Sequence, residues 1–163
     1  MAEFDNDVTA NVIDVPPEEE MRVCLFSMGE ESYAIPVESM AEIIIPQKIF
    51  TVPTTPAHVL GVINLRGNII PIVDIRPLLS APQSSAAGQI ALLKHGAMAI
   101  GIIVDSVSEV AGVPVSSVQA IPADSHAEPG RDVSRFLKGI IQREAGVAAL
   151  LDIERIFDEI KLT

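Results

Sequence analysis

Gly61-Val62-Ile63-Asn64-Leu65-Arg66-Gly67-Asn68-Ile69-Ile70-Pro71-Ile72-Val73-Asp74-Ile75-Arg76 is the stretch that decides the fold. Two apolar runs, Val62-Ile63 and Ile69 to Ile75, flank a polar break in which Gly67-Asn68 supplies the positive φ of a tight hairpin turn. Runs this short and this rich in Ile and Val are strands rather than helices. Pro71 cannot donate to a ladder and predicts an edge or a bulge where it stands. Asp74 precedes a short helical stretch from Arg76 to Leu79, where a carboxylate caps free backbone N–H groups.

Working outward, Val23, Leu25 and Met28, a turn at Gly29-Glu30-Glu31-Ser32, then Tyr33, Ile35 and Val37 read as another hairpin. Near the other end, Ile153, Ile156, Phe157 and Ile160 fall on one face of a short helix beginning after Asp152. The chain also repeats itself. At an offset of 67 residues, Gly29 to Ile43 meets Gly96 to Val110 without a gap, setting Tyr33, Ile35 and Val37 on Ile100, Ile102 and Val104 and Glu42 on Glu109. At an offset of 78, Gly61-Val62-Ile63 meets Gly139-Ile140-Ile141, Asp74 meets Asp152, and Arg66 meets Glu144. The extra 11 residues fall in the Pro-, Ser- and Asp-containing loop around 122–132.

Two copies of one hairpin-loop-hairpin-helix unit follow. Each holds about 60 residues, too few to bury much alone, and short strands with Gly-marked corners close into small barrels. The expectation is a mainly β chain of two packed small barrels with a short C-terminal helix. The first barrel covers about residues 21–82 and the second about 88–160, with some strand exchange. A linker composition, Ser80-Ala81-Pro82-Gln83-Ser84-Ser85, separates them.

The composition excludes several classes. At 163 residues and 48% hydrophobic, the chain is large enough for a real core. Residues 1–20 hold seven of the 22 acids, no Lys or Arg, and Pro16-Pro17, and read as a flexible acidic tail. A net charge of −11 gives nucleic acid and anionic membranes nothing to hold. Oligonucleotide barrels further need aromatic platforms, and this chain has one Tyr and no Trp. No apolar run is long enough to span a bilayer, and the N-terminus lacks the order of a signal peptide. A single cysteine, Cys24, lies in an apolar run and reads as a buried structural thiol, in a chain of the cytoplasm.

Catalytic patterns are missing. His58, His95 and His126 make no metal-binding spacing, and no phosphate-cradling or nucleophile-elbow glycine pattern occurs, so neither a metal, a cofactor nor enzyme activity is expected. Arg66 differs, because its counterpart Glu144 shows that the repeat's architecture does not demand a cation at the hairpin tip.

Over Gly61 to Arg76 the sequence resembles the CheW-like family of bacterial chemotaxis coupling proteins, whose hallmark reads G-V-x-N-L-R-G-x-I-x-P-I-V-D-L-R. Gly29 to Ile35, Met40 to Ile43 and Gly101 to Val110 resemble the family's other blocks in order, so the likeness spans roughly residues 21–160. It implies two pseudo-symmetric five-stranded SH3-like barrels. It also implies a non-catalytic cytoplasmic adaptor, a monomer that joins larger receptor arrays at the membrane without inserting. Such an adaptor couples the cytoplasmic signalling helices of chemoreceptors to the regulatory domain of the histidine kinase CheA. Carried over by position, the receptor groove comprises Met40, Glu42, Arg66, Gly101, Val107 and Val110, with Glu42 and Arg66 as an ion pair. Gly67, Asp74 and Asp152 serve the turn and the caps. The second copy reads Gln142-Arg143-Glu144-Ala145 in place of Asn-Leu-Arg-Gly, and kinase-contact residues stay unassigned. With no receiver domain after Thr163, a free-standing coupling protein is the expected form. The alternative is a scaffold of a dedicated chemosensory-like pathway with its own receptor and kinase.

Overall fold

The strands are where the short apolar runs predict them. In the computed structural model, which describes residues 19–53, 58–79, 81, 88–121, 133–144 and 146–160, they are β1 Glu20–Met28, β2 Glu31–Pro36, β3 Met40–Ile44, β4 Val59–Leu65, β5 Asn68–Val73, β6 Gln89–His95, β7 Met98–Val104, β8 Ser106–Pro114, β9 Val118–Gln119, β10 Leu137–Arg143 and β11 Gly146–Leu151. Two helices, α1 Arg76–Leu79 and α2 Ile153–Glu159, follow the two hairpins that contain the repeat's aspartates. Residues 1–18, the loop at 122–132 and all of the expected linker except Ala81 lie outside the described residues.

Two sheets form, in the orders β8-β1-β2-β11-β10-β9 and β3-β6-β7-β5-β4. Every ladder except β9·β10 has its repeat-related partner in the other sheet. The antiparallel pair β1·β8 matches β6·β3, and the parallel pair β2·β11 matches β7·β5. The expected five strands apiece become six in the first sheet, because β9 pairs with β10 through two residues where the second sheet has only the Phe50–Val62 bridge beside β4. Both orders are open: no ladder among the described residues joins the outer strands into a closed barrel.

The sheets do not divide along the chain at the expected linker. The parallel pairings join strands of opposite repeats, so the β1–β2 hairpin sits with β8 to β11, and the β6–β7 hairpin sits with β3 to β5. Neither repeat completes a sheet without the other's hairpin. Such long-range pairing lies beyond the reach of hydrophobic periodicity, which reports only local structure.

Alternation along the strands builds three apolar layers. Val23, Leu25, Ala34, Val113, Ile141 and Leu150 fill the hollow of the first sheet, and Ile44, Ile63, Leu65, Ile70, Ile72, Ile90 and Leu92 fill that of the second. The intervening residues, among them Phe26, Met28, Tyr33, Ile35, Val73, Leu93, Ile100 and Ile102, face the opposite sheet and form the central core together with Ile153, Ile156 and Phe157 of α2. Strands buried on both faces explain why the sequence shows continuous apolar runs rather than strict alternation.

The β4–β5 turn corrects the sequence reading by one position. The two loop residues are Arg66 and Gly67, with φ of 51° and 87°, while Asn68 already pairs with Leu65. The Asn64 side-chain oxygen accepts from the Gly67 N–H at 2.9 Å and holds the turn. Pro71 sits inside the β4 ladder opposite Val62, at a point where pairing with β7 has not begun; that ladder starts at Ile72.

Candidate functional site

The strands β3 and β8 are repeat-related edge strands, and each carries a bulge that decides where its side chains point. On β8, Val107 lies opposite Phe26 and Val110 opposite Cys24, whereas Glu109 lies opposite Leu25. Directly opposed residues share a face. Val107 and Val110 therefore face the central core, and Glu109 faces the hollow of its own sheet. On β3, Met40 opposes Leu93 and Ile43 opposes Ala91, both on the central-core face, while Glu42 opposes Leu92 on the hollow side.

Five of the six expected groove residues thus separate into two groups. Met40, Val107 and Val110 belong to the inter-sheet face; Met40 and Val107 pack on the margin of the central core, and Val110 is 49% exposed. The Val107 N–H donates to Gln89 Oε1 at 3.1 Å, tying the start of β8 to β6 of the other sheet. Glu42 and Arg66 form an ion pair at the rim of the second sheet's hollow, with the arginine side chain 69% exposed and the carboxylate 34%. Gly101 belongs to neither group as a contact residue. It is buried in the second sheet, and a Cβ there would stand 2.6 Å from Ile72 Cδ1 and 2.9 Å from Ile90 Cγ2, so its missing side chain makes room for the core.

Arg66 reaches Glu42 from the β4–β5 turn, at the opposite edge of the sheet from β3. The sheet is curled until its two edges meet, and side chains rather than a backbone ladder bridge them. The first sheet repeats the arrangement: Arg143, at the end of β10, donates to Glu109 Oε1 on β8 at 2.7 Å. Beside this second pair is an open cavity of about 160 Å³ lined by Leu25, Ser32, Val147 and Ala148. In the second sheet the place of Ala148 is held by buried Ile70. The sequence reading missed Arg143 because the offset of 78 sets Glu144, one residue on, against Arg66. The match of Glu42 with Glu109 was the signal that pointed to it.

A third charged group was also unread. Arg76, only 5% exposed, donates from Nη2 to Asp105 Oδ1 at 2.8 Å, and Asp105 Oδ2 accepts from the Gly29 N–H at 2.7 Å. One aspartate at the β7–β8 junction thereby links α1 to the β1–β2 turn, across the two sheets. The repeat aspartates take their expected places: Asp74 Oδ1 accepts from Arg76 N at 3.0 Å, and Asp152 Oδ1 accepts from Arg155 N at 3.2 Å as the N-cap of α2.

Among the described residues no cluster of His, Cys, Asp and Glu has the makings of a metal site, and no helix is long and apolar enough to cross a membrane. Cys24 is buried, and burial pushes its thiol pKa up, away from a nucleophilic thiolate.

The family model described as CheW-like domain matches residues 22–161. The chain is 29% identical over 141 residues to a chemotaxis protein CheW of Helicobacter pylori, covering 85% of this chain and 82% of that one. It is 24% identical over 127 residues to the protein FrzA of Myxococcus xanthus, covering 77% and 76%. The crystal structure of the scaffolding protein TtCheW from Thermoanaerobacter tengcongensis superposes with a TM-score of 0.71 at 25% identity, covering 86% of this chain and 88% of that one.

Proposed function

The chain belongs to the CheW-like family, and from that premise we propose that it is a non-catalytic adaptor that couples chemoreceptor signalling helices to the kinase CheA in the cytoplasm, at membrane receptor clusters. The observation that carries the reading is the pair of repeat-related edge strands. Each presents an apolar pair, Met40 with Ile43 and Val107 with Val110, on the face turned towards the other sheet. An apolar groove between two edges suits one face of an amphipathic helix, which docks through residues at helical spacing. Met40 adds an adaptable contact.

In this reading Met40, Val107 and Val110 touch the receptor helix, while Glu42 and Arg66 hold β3 in place and set a charge at the groove's rim. Gly101 contributes by letting β7 pack closely. The kinase's regulatory domain takes a separate barrel surface.

Co-sedimentation with clustered receptor signalling fragments and the kinase's regulatory region tests it. Wild type should pellet with both, Val110→Glu should lose the receptor and keep the kinase fragment, and the variant and wild type should show the same far-UV spectrum. A folded protein that binds neither partner would overturn the coupling role and point to a dedicated pathway with other partners.

A further inference from the structure

The chain passes from one sheet to the other twice, through residues 37–39 between β2 and β3 and through Asp105 between β7 and β8. The two crossings are repeat-related at the offset of 67, and each leads directly into one wall of the apolar groove. At the second crossing the chain is held from several sides. The Asp105 carboxylate accepts from Arg76 Nη2 at 2.8 Å and from the Gly29 N–H at 2.7 Å, and the Asp105 N–H donates to the Ser27 carbonyl at 2.9 Å. The Ser27 and Ser106 hydroxyls share a hydrogen bond of 2.9 Å, and the Val107 N–H donates to Gln89 Oε1. Groups from α1, β1 and β6 thus grip the first residues of β8.

The first crossing has none of this. Its positions carry Glu38 for Asp105, Glu154 for Arg76, Ser39 for Ser106, Lys94 for Ser27 and Arg22 for Gln89. The cation of the clamp is replaced by a second carboxylate, and among the described residues none of these five side chains bonds another. Residues 37–39 form a single 3₁₀ turn that buries no residue and closes on itself, the Met40 N–H donating to the Val37 carbonyl. Val37 is half-buried where its counterpart Val104 is 0% exposed. An open cavity of about 530 Å³ lies beside the turn, lined by Val37 and Glu38 together with Met21, Arg22 and Val115.

We propose that Asp105 is a positioning residue that fixes the β8 wall of the groove, and that the β3 wall is the one that yields when a helix enters. Local opening draws on segments with few buried contacts, and hinges form at the ends of elements where little else holds the backbone. β3 pairs with β6 alone and starts from the unclamped turn. The entering helix rests on the coupling role proposed above, whereas the difference between the two walls belongs to the free protein.

Amide hydrogen exchange of the full chain tests it. In the free protein, residues 37–44 should exchange about tenfold or more faster than residues 104–111 once intrinsic rates are divided out. Glu154→Arg gives Glu38 the partner that Asp105 has. It should slow 37–44 by about threefold or more, leave 104–111 unchanged, and lose its effect when Glu38→Gln is added. Both positions are exposed, so neither substitution strains the core. Asp105→Asn should cut the protection of 104–111 relative to 37–44 by about threefold or more. Clustered receptor signalling fragments should slow 40–44 by a larger factor than 107–111. Equal exchange at the two crossings, indifference to Glu154→Arg, uniform acceleration in Asp105→Asn, or receptor protection confined to β8 would overturn the proposal. Protection of neither wall by the receptor, with the difference present in the free protein, would overturn the coupling role instead.

Discussion

Glu42 and Glu109 stand 67 residues apart and in the same place in the fold: each lies one residue beyond the extra residue of a bulge on an edge strand, and each holds an arginine from the far side of its own sheet. The arginines come from neighbouring rather than identical positions of the two hairpins, Arg66 from the turn and Arg143 from the last residue of β10. What the repeat preserves is the bridge across the curled sheet. The residue that makes it differs. This places the two ion pairs among the parts that set the separation of the sheet edges, with little weight in global stability; under the proposed function their weight lies in the shape of the receptor groove.

Arg66→Glu should accordingly change the melting free energy by no more than about 1 kcal/mol, since exposed pairs rarely contribute more, while weakening receptor co-sedimentation. Arg66→Gly sharpens the test. It removes the same charge but relieves a non-glycine residue at φ 51°, a conformation that costs an L-residue about 1–2 kcal/mol. The glycine variant should melt at or near the wild-type temperature and still bind the receptor fragment poorly. Full binding by Arg66→Gly would remove Arg66 from the groove's machinery.

Gly101 and Val110 should behave in opposite ways. Gly101→Ala forces a methyl to 2.6 Å from Ile72 Cδ1 in a filled hollow, and overpacking of this kind costs about 1–3 kcal/mol. The expected outcome, read by urea unfolding and by titration of the receptor fragment, is a less stable protein whose folded fraction binds normally. Val110→Glu should leave the unfolding midpoint almost unchanged and abolish binding. Weak binding by a stable Gly101→Ala would return that glycine to the contact surface.

How much of this was legible before the structure depends on range. The β4–β5 turn to within one position, the β1–β2 hairpin and the Asp152 cap follow from residues within a few positions of each other, where local chemistry decides, and the repeat follows from laying the chain against itself at offsets of 67 and 78. Gly101 and Glu42 were grouped with Val107 and Val110 because the family resemblance carries all of them over by position, without regard to the face on which each stands. Separating them needs strand register, where a shift of one residue turns a side chain to the other face, and the bulges at Ala41 and Ser108 supply such a shift. The exchange of hairpins between sheets and the Arg76–Asp105 link are contacts between distant parts of the chain, for which periodicity carries no signal.

The Arg76–Asp105 link should be the costliest charge to break. Arg76 is buried, and removing one partner of a buried pair costs about 3–5 kcal/mol when the other is left uncompensated; here Asp105→Ala leaves Arg76 only the longer contact with Asp74 at 3.9 Å, which places its loss at the lower end. Asp105→Ala also strips the acceptor from the Gly29 N–H. Each single variant, Arg76→Leu or Asp105→Ala, should lower stability by about that amount, and the double variant should cost clearly less than the sum, as expected for groups that contact each other. Additive losses in the double-mutant cycle would show that the two side chains act independently.

Tyr33 offers a readout of folding at high pH, because it is the single tyrosine of the chain. Its ring stacks on Phe26 in the central core, with centroids 5.8 Å apart, and its hydroxyl donates to Glu31 Oε2 at 2.8 Å. Burial first, then the hydrogen bond to Glu31 and its negative charge, push the phenol well above the usual tyrosine value of 10. The phenolate is thus disfavoured in the native state, which keeps its proton while the unfolded chain releases it. With more protons bound in the native state, stability must fall as pH rises above about 10, at up to about 1.4 kcal/mol per pH unit. Below that pH the group contributes no pH dependence. In an alkaline titration the tyrosinate absorbance at long ultraviolet wavelength should therefore stay low past the usual range and appear together with loss of the far-UV signal. Tyr33→Phe should lose this pH dependence of its unfolding free energy above pH 10. Ionisation at the usual pH with the fold intact would show that the ring is solvated and the Glu31 contact is not made.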